Sequence, residues 1–123
     1  MQIGIIGNTP LEEELRKLCS KKASSAVSYN VKKINVADAK NMDAVIVAES
    51  SQREIKNVDK QTGHAPILII SEKGDMGRAG ACISFFIDEE NDYKTGYQLS
   101  LKNCKSRGLI VSEQILNNAV LTR

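Results

Sequence analysis

Three cysteines, one histidine and a glycine-flanked turn are the residues of this 123-residue chain whose chemistry could reach beyond packing. Cys19, Cys82 and Cys104 contain no Cys-x-x-Cys pair and have no histidine pair nearby, so their spacing fails the pattern of a zinc site. An oxidising compartment would allow one disulfide and one free thiol, and a reducing one three core cysteines; the odd count decides neither way. Cys19 falls on the inner face of a predicted first helix. Cys82 opens a predicted strand and sits opposite about Leu101 if the chain turns at Asn91-Asp92, which puts Cys104 within bridging reach after one helical turn. Cys82 and Cys104 are therefore the candidate disulfide.

His64 stands between Gly63 and Ala65 ahead of a predicted strand, and no nucleophile elbow or other catalytic motif points to it. Gly4-Ile5-Ile6-Gly7-Asn8-Thr9-Pro10 marks a strand-to-helix turn, where exposed amides and the helix dipole can hold an anion. It lacks the three-glycine spacing of a dinucleotide fingerprint and the Gly-Lys-Ser/Thr of a phosphate loop, and an ordinary tight turn accounts for it. Asp88, Glu89, Glu90 and Asp92 crowd a predicted hairpin tip without a glycine where a calcium loop requires one. No catalytic residue, cofactor ligand or metal ligand is expected from these sets.

The elements that must position these residues follow from periodicity. Ile3, Ile5 and Ile6 form a short buried strand, and Thr9-Pro10-Leu11-Glu12 announces a helix ending near Lys22, with a capping box and Leu11, Leu15, Leu18 and Cys19 on one face. Residues 29–36 alternate imperfectly and suit an edge strand; 43–48 (DAVIVA) suit a central one. Ser51 and Glu54 suggest a second capping box, opening a helix that turns Ile55 and Val58 inward and stops at Gly63. Residues 66–71 (PILIIS) read as a strand, 72–80 as a glycine-punctuated loop, and 81–88 with 93–101 as a hairpin. A helical turn follows over 102–107, terminated by Gly108, and Ser112 caps a last helix with Ile115, Leu116, Ala119 and Val120 on its apolar side. The order predicts a single α/β domain over residues 1–123, a three-layer sandwich whose mixed, partly parallel sheet ends in an antiparallel hairpin.

Composition excludes several classes. Hydrophobic residues make up 41% and charged residues 26%, with a formal net charge of +2, which describes a globular chain, neither disordered nor strongly basic. Lys21-Lys22 and Lys32-Lys33 are not interleaved with aromatic residues as a nucleic-acid platform would require, so no nucleic-acid partner is expected. Apolar runs reach about five residues against the roughly 20 of a membrane span. The chain opens on a strand with no leader pattern, so it is either cytoplasmic or begins after its export signal.

The stretch GACISFFIDEENDYKTGYQLSLKNCKSRGLIVSEQIL resembles the end of the YfiR-like family, whose pattern is a small-residue pair, I-N-F, a hairpin into F-E-I-N, a helix, G-L-x-I-S and a leucine-rich helix. Gly80 to Phe85 stand for the first part, Tyr97-Gln98-Leu99-Ser100 for F-E-I-N, and Gly108 to Ser112 for the start of the last helix. IGIIGNTPLEEEL, DAVIVAES and PILIISEKG are similar to the family's first strand and helix, central strand, and L-x-V-S-D strand. Ser84, Gln98 and Ser100 depart from the family's asparagine, glutamate and asparagine, and Asp43 opens a strand where a cysteine-histidine pair often sits. The missing K-Y-I-x-W-P segment fits a chain that starts after an export signal and first helix. The resemblance implies an exported, periplasmic signalling regulator that is not an enzyme. It would act by protein-protein contact on a membrane receptor or the periplasmic part of a diguanylate cyclase, restraining cyclic di-GMP synthesis, with homodimer formation and redox-sensitive cysteines. It implies no cofactor, and no membrane insertion of this chain. The alternative is a small nucleotide- or anion-binding α/β domain or enzyme using the turn Gly7, Asn8 and Thr9. A receiver-like module would need an acidic pair after the first strand, where Gly7-Asn8 stands.

Overall fold

In the computed structural model of the chain, which describes residues 1–21, 28–88, 90, 92 and 94–122, a seven-stranded sheet has the order β2-β1-β3-β4-β5-β6-β7. The strands are β1 (Gln2–Ile6), β2 (Asn30–Lys33), β3 (Ala44–Val47), β4 (Leu68–Ser71), β5 (Ile83–Asp88), β6 (Lys94–Leu99) and β7 (Leu121–Thr122). The helices are α1 (Leu11–Lys21), α2 (Ile55–Thr62), α3 (Leu101–Ser106) and α4 (Glu113–Asn118). Neighbouring strands from β2 to β5 are parallel, β5 and β6 are antiparallel, and β7 lies parallel to β6. The α/β fold, with a mixed sheet containing an antiparallel hairpin, agrees with the sequence. The sheet's last edge does not, because β7 adds a parallel strand beyond the hairpin.

Side-chain alternation divides the core. One face carries Ile5, Val31 and Ile46, with Leu15 and Cys19 of α1 packed on them, and continues into Cys82, Leu99 and Cys104 beneath Leu101, Leu109, Val111 and Ala119. The other carries Ile6, Val45, Val47 and Ile69, covered by Ile55 and Val58 of α2 and by Ala39 and Met42. β3 is buried at all four positions, as expected of a parallel strand with both faces covered. β2 is the edge strand foreseen at 29–36, but Val36–Asn41 forms a 3-10 helix capped by Asn35.

Neither capping box closes. The Thr9 hydroxyl accepts from Leu11 N–H at 3.1 Å and donates to Glu72 at 2.9 Å, while Glu12 pairs with Arg16 at 3.2 Å rather than reaching back. Ser51 lies inside a 3-10 segment, Glu49–Glu54, that runs into α2 at Ile55 with no side-chain cap. Ile55 and Val58 are nonetheless fully buried, and Gly63 ends α2 at φ 58°. Leu11 and Leu18 of α1 are exposed, so its inner face is narrower than the periodicity implied. The end of α1 near Lys22, and Glu89, Asn91 and Tyr93 of the hairpin tip, lie outside the described residues. Asp92 does have the positive φ, 55°, that such a turn needs.

Candidate functional site

A single row across the sheet sets up a polar cavity. In register run Ile6, Val47, Ser71, Ser84 and Gln98, so one face changes from apolar to polar as it passes from β1 to β6. At the apolar end α2 covers the row. At the polar end a cavity of about 410 Å³ remains, lined by Asp75, Gly77, Arg78 and Ala81 from the loop before β5, Ser84 of β5, Gln98 and Leu99 of β6, and the cap residue Ser100 with Lys102 and Asn103 of α3. That volume lies within the roughly 300–1,000 Å³ of small-molecule sites.

The floor is held by bonds to the loop backbone. The Ser84 hydroxyl accepts from Met76 N–H at 3.2 Å, Gln98 Oε1 from Asp75 N–H at 2.6 Å, and Ser100 Oγ from Asn103 N–H at 3.3 Å, the last capping α3. Asn103 Nδ2 donates to Gly77 O at 2.7 Å and Ala81 O at 2.9 Å. An amide N–H can only donate and a carbonyl can only accept, so these partners fix which way both carboxamides point. Arg107 secures the far end of α3. Its guanidinium donates to Asp59 Oδ1 at 2.7 Å and to Ala65 O at 3.2 Å. Gly80 makes room at φ 123°, since a Cβ there would lie 2.6 Å from Asp59 Cγ.

The turn put forward for an anion is a different environment. It lies where β1 and β3 send their connections in opposite directions, the usual ligand position in open α/β sheets. Yet the recess there is lined by Asn8, Thr9, Pro10, Ser50 and two carboxylates, Glu49 and Glu72. Glu72 Oε1 is buried without a hydrogen-bond partner. Carboxylates so placed repel an anion, and Gly7 has a structural reason of its own: φ is 91° and a Cβ would meet Ser51 Oγ at 2.5 Å.

Cys82 and Cys104 do come together, as two free, buried thiols in one apolar cluster. The Cys104 thiol donates a hydrogen bond to Cys82, which lowers the Cys82 thiol to about 7 against the opposing effect of burial. The same bond, with burial, pushes Cys104 well up. The register differs by one residue from the expected one: Ile83 pairs with Leu99, and Cys82 O accepts from Ser100 N–H at 2.9 Å. Cys19 packs with Leu15 on the opposite half of that face. His64 is exposed between α2 and β4. Among the described residues no group of three or more histidine, cysteine or carboxylate side chains could hold a metal ion, and no helix is long and apolar enough to cross a membrane.

Sequence reasoning did not find Arg78, Lys102 or Asn103 as cavity residues. It marked Ser84, Gln98 and Ser100 only as departures from a pattern, and the strand register brings all three to one cavity.

The last helix departs most from its expected role. Ser112 caps α4 through Ile115 N–H at 3.3 Å, and Ala119 packs inward. Ile115, Leu116 and Val120 are exposed, and Ile110 is 99% exposed.

Residues 1–120 match the family described as YfiR/HmsC-like. Among solved structures the chain is similar to a conserved domain protein from Vibrio cholerae O1 biovar El Tor, at 15% identity and a TM-score of 0.66 over 99% of this chain and 54% of that one. It is also similar to an ABC domain in complex with L-Trp from Streptococcus pneumoniae, at 10% identity and a TM-score of 0.67 over 99% of this chain and 55% of that one. The chain thus spans about half the length of these structures, and at such identities the likeness is one of fold. No curated protein matches it.

Proposed function

The chain belongs to the YfiR/HmsC-like family, and from that premise we propose that it is a noncatalytic regulator working in the periplasm through contact with a protein partner. The partner class is the periplasmic sensor part of a membrane diguanylate cyclase, whose output of cyclic di-GMP the contact restrains. One observation carries the contact surface: Ile110 (99% exposed), Ile115, Leu116 and Val120 (60% exposed) are offered to solvent along one short C-terminal segment. Several large apolar side chains exposed within eleven residues support an interaction site there. The rival reading, catalysis or nucleotide binding at Gly7, Asn8 and Thr9, is opposed by Glu49 and Glu72 facing that turn.

In the periplasm Cys82 and Cys104, already hydrogen-bonded, lose two protons and two electrons to a disulfide oxidant and close the bridge. The disulfide ties the start of β5 to α3 and so holds the base of the C-terminal segment.

The test is co-elution of the purified protein with the isolated sensor domain of such a cyclase. Wild-type protein is expected to form a complex, and the Ile110→Asp, Val120→Asp double variant to bind at least tenfold more weakly with an unchanged thermal midpoint. Absence of a wild-type complex with the sensor domain sinks the reading.

A further inference from the structure

Apart from any protein partner, we propose that the cavity between β5, β6, α3 and the loop before β5 binds a small organic carboxylate. The argument is an inventory of hydrogen-bonding capacity. Backbone N–H groups occupy the acceptor atoms of Ser84, Gln98 and Ser100. Each of these oxygens keeps one lone pair, and the donors are all unspent: two hydroxyl hydrogens and the Gln98 amide. Asn103, by contrast, uses its amide hydrogens on Gly77 O and Ala81 O. Arg78 and Lys102 add two cations to the lining, against the one carboxylate of Asp75. Three neutral donors beside two cations suit a ligand that brings oxygen acceptors and negative charge.

The rest of the lining sets the ligand's body. Gly77 and Ala81 bring no polar side chain to the lining, which leaves room for a compact hydrocarbon skeleton beside a charged end. Ser84, at 2% exposure, is the most buried of the polar lining side chains.

Gln98 is the residue on which the sign of the cavity turns. The family pattern has glutamate at this position; a glutamate could still accept from Asp75 N–H, but it would replace a donor amide by a second negative charge. Gln98→Glu is therefore a substitution that leaves the hydrogen bond to the loop intact and reverses the electrostatics of the floor. Lys102, exposed on α3, offers an independent variant, Lys102→Met.

The experiment is a titration of the isotopically labelled protein with benzoate and, separately, with its neutral isostere benzamide, followed by amide chemical shifts. Benzoate is expected to give saturable shifts confined to residues 75–84 and 98–103, with benzamide at least tenfold weaker. Gln98→Glu should weaken benzoate at least tenfold without changing the thermal midpoint, and Lys102→Met should weaken it several-fold. Equal shifts from benzoate and benzamide, benzoate shifts centred elsewhere, or undiminished binding by both variants would overturn the proposal. None of these outcomes touches the co-elution test of the regulatory reading.

Discussion

Arg107 and Asp59 form an ion pair of unequal burial, with side chains 1% and 45% exposed, and that inequality decides what each contributes. A half-exposed carboxylate left alone is rehydrated, whereas a buried guanidinium left alone is not. Asp59→Ala should therefore destabilise by about 2–3 kcal/mol, and Arg107→Met, which keeps apolar volume, by less than about 1.5 kcal/mol. Urea unfolding of both variants measures the order, and a larger loss for Arg107→Met would contradict the argument. At Cys82 and Cys104 the expected gain is in the unfolded state. A bridge between them closes a loop of about 20 residues and should stabilise by about 3 kcal/mol. After oxidation only Cys19 should be alkylated under denaturing conditions. Labelling of all three thiols would show that the pair does not close. The closeness of the two cysteines was legible because a hairpin turn fixes strand register to within a residue. The Arg107–Asp59 pair was not, since it joins α2 to the residue after α3, 48 positions away.

At the scale of elements, the strands most directly legible are the ones buried on both faces. β1, β3 and β4 announce themselves as short branched apolar runs that need no partner to be recognised. The 3-10 segments at Val36–Asn41 and Glu49–Glu54 were not legible, because only tertiary contacts decide between one tight turn and a helix start. The cavity was hidden for a related reason. Placing Cys82 opposite Leu101 rather than Ser100 shifts the pairing by one residue, and such a slip exchanges the two faces of a strand. Under that slip Ser84 and Gln98 do not meet; in the observed register they pair directly. β7 was missed because two residues carry no periodicity. Its docking depends on Gly96, where a Cβ would lie 2.9 Å from Val120 Cγ2 and 3.1 Å from the Phe86 ring. Gly96→Ala should push the C-terminal segment off β6, breaking the bond from Val120 N–H to Tyr97 O, while β5 and β6 stay paired. Loss of hydrogen-exchange protection at Val120 with retained protection at Gln98 is the expected signature. Equal loss at both would mean the hairpin itself had been disrupted.

Across the whole molecule, the doubly covered strands and the exposed C-terminal segment occupy opposite ends of one sheet. β1, β3 and β4 have covered faces on both sides, with Ile5, Val45, Val47 and Ile69 fully buried. From β5 onward one face opens into the polar cavity, and the outermost elements are the six-residue α4 and the two-residue β7. Segments with few buried apolar contacts open locally at low free-energy cost, so exchange at residues 44–47 should report global unfolding and exchange at 113–122 only local opening. A protein partner that docks on Ile110, Ile115, Leu116 and Val120 must order that segment first. Complex formation with the cyclase sensor domain should then slow exchange over 109–122 by at least tenfold and leave 44–47 unchanged. Protection appearing instead on β2, at the opposite edge of the sheet, would place the contact there and remove the C-terminal segment from the interface. The disulfide gives the same experiment a second arm. If closing Cys82 to Cys104 pre-orders the base of the segment, the oxidised protein should bind more tightly than the reduced protein, since less ordering remains to oppose association.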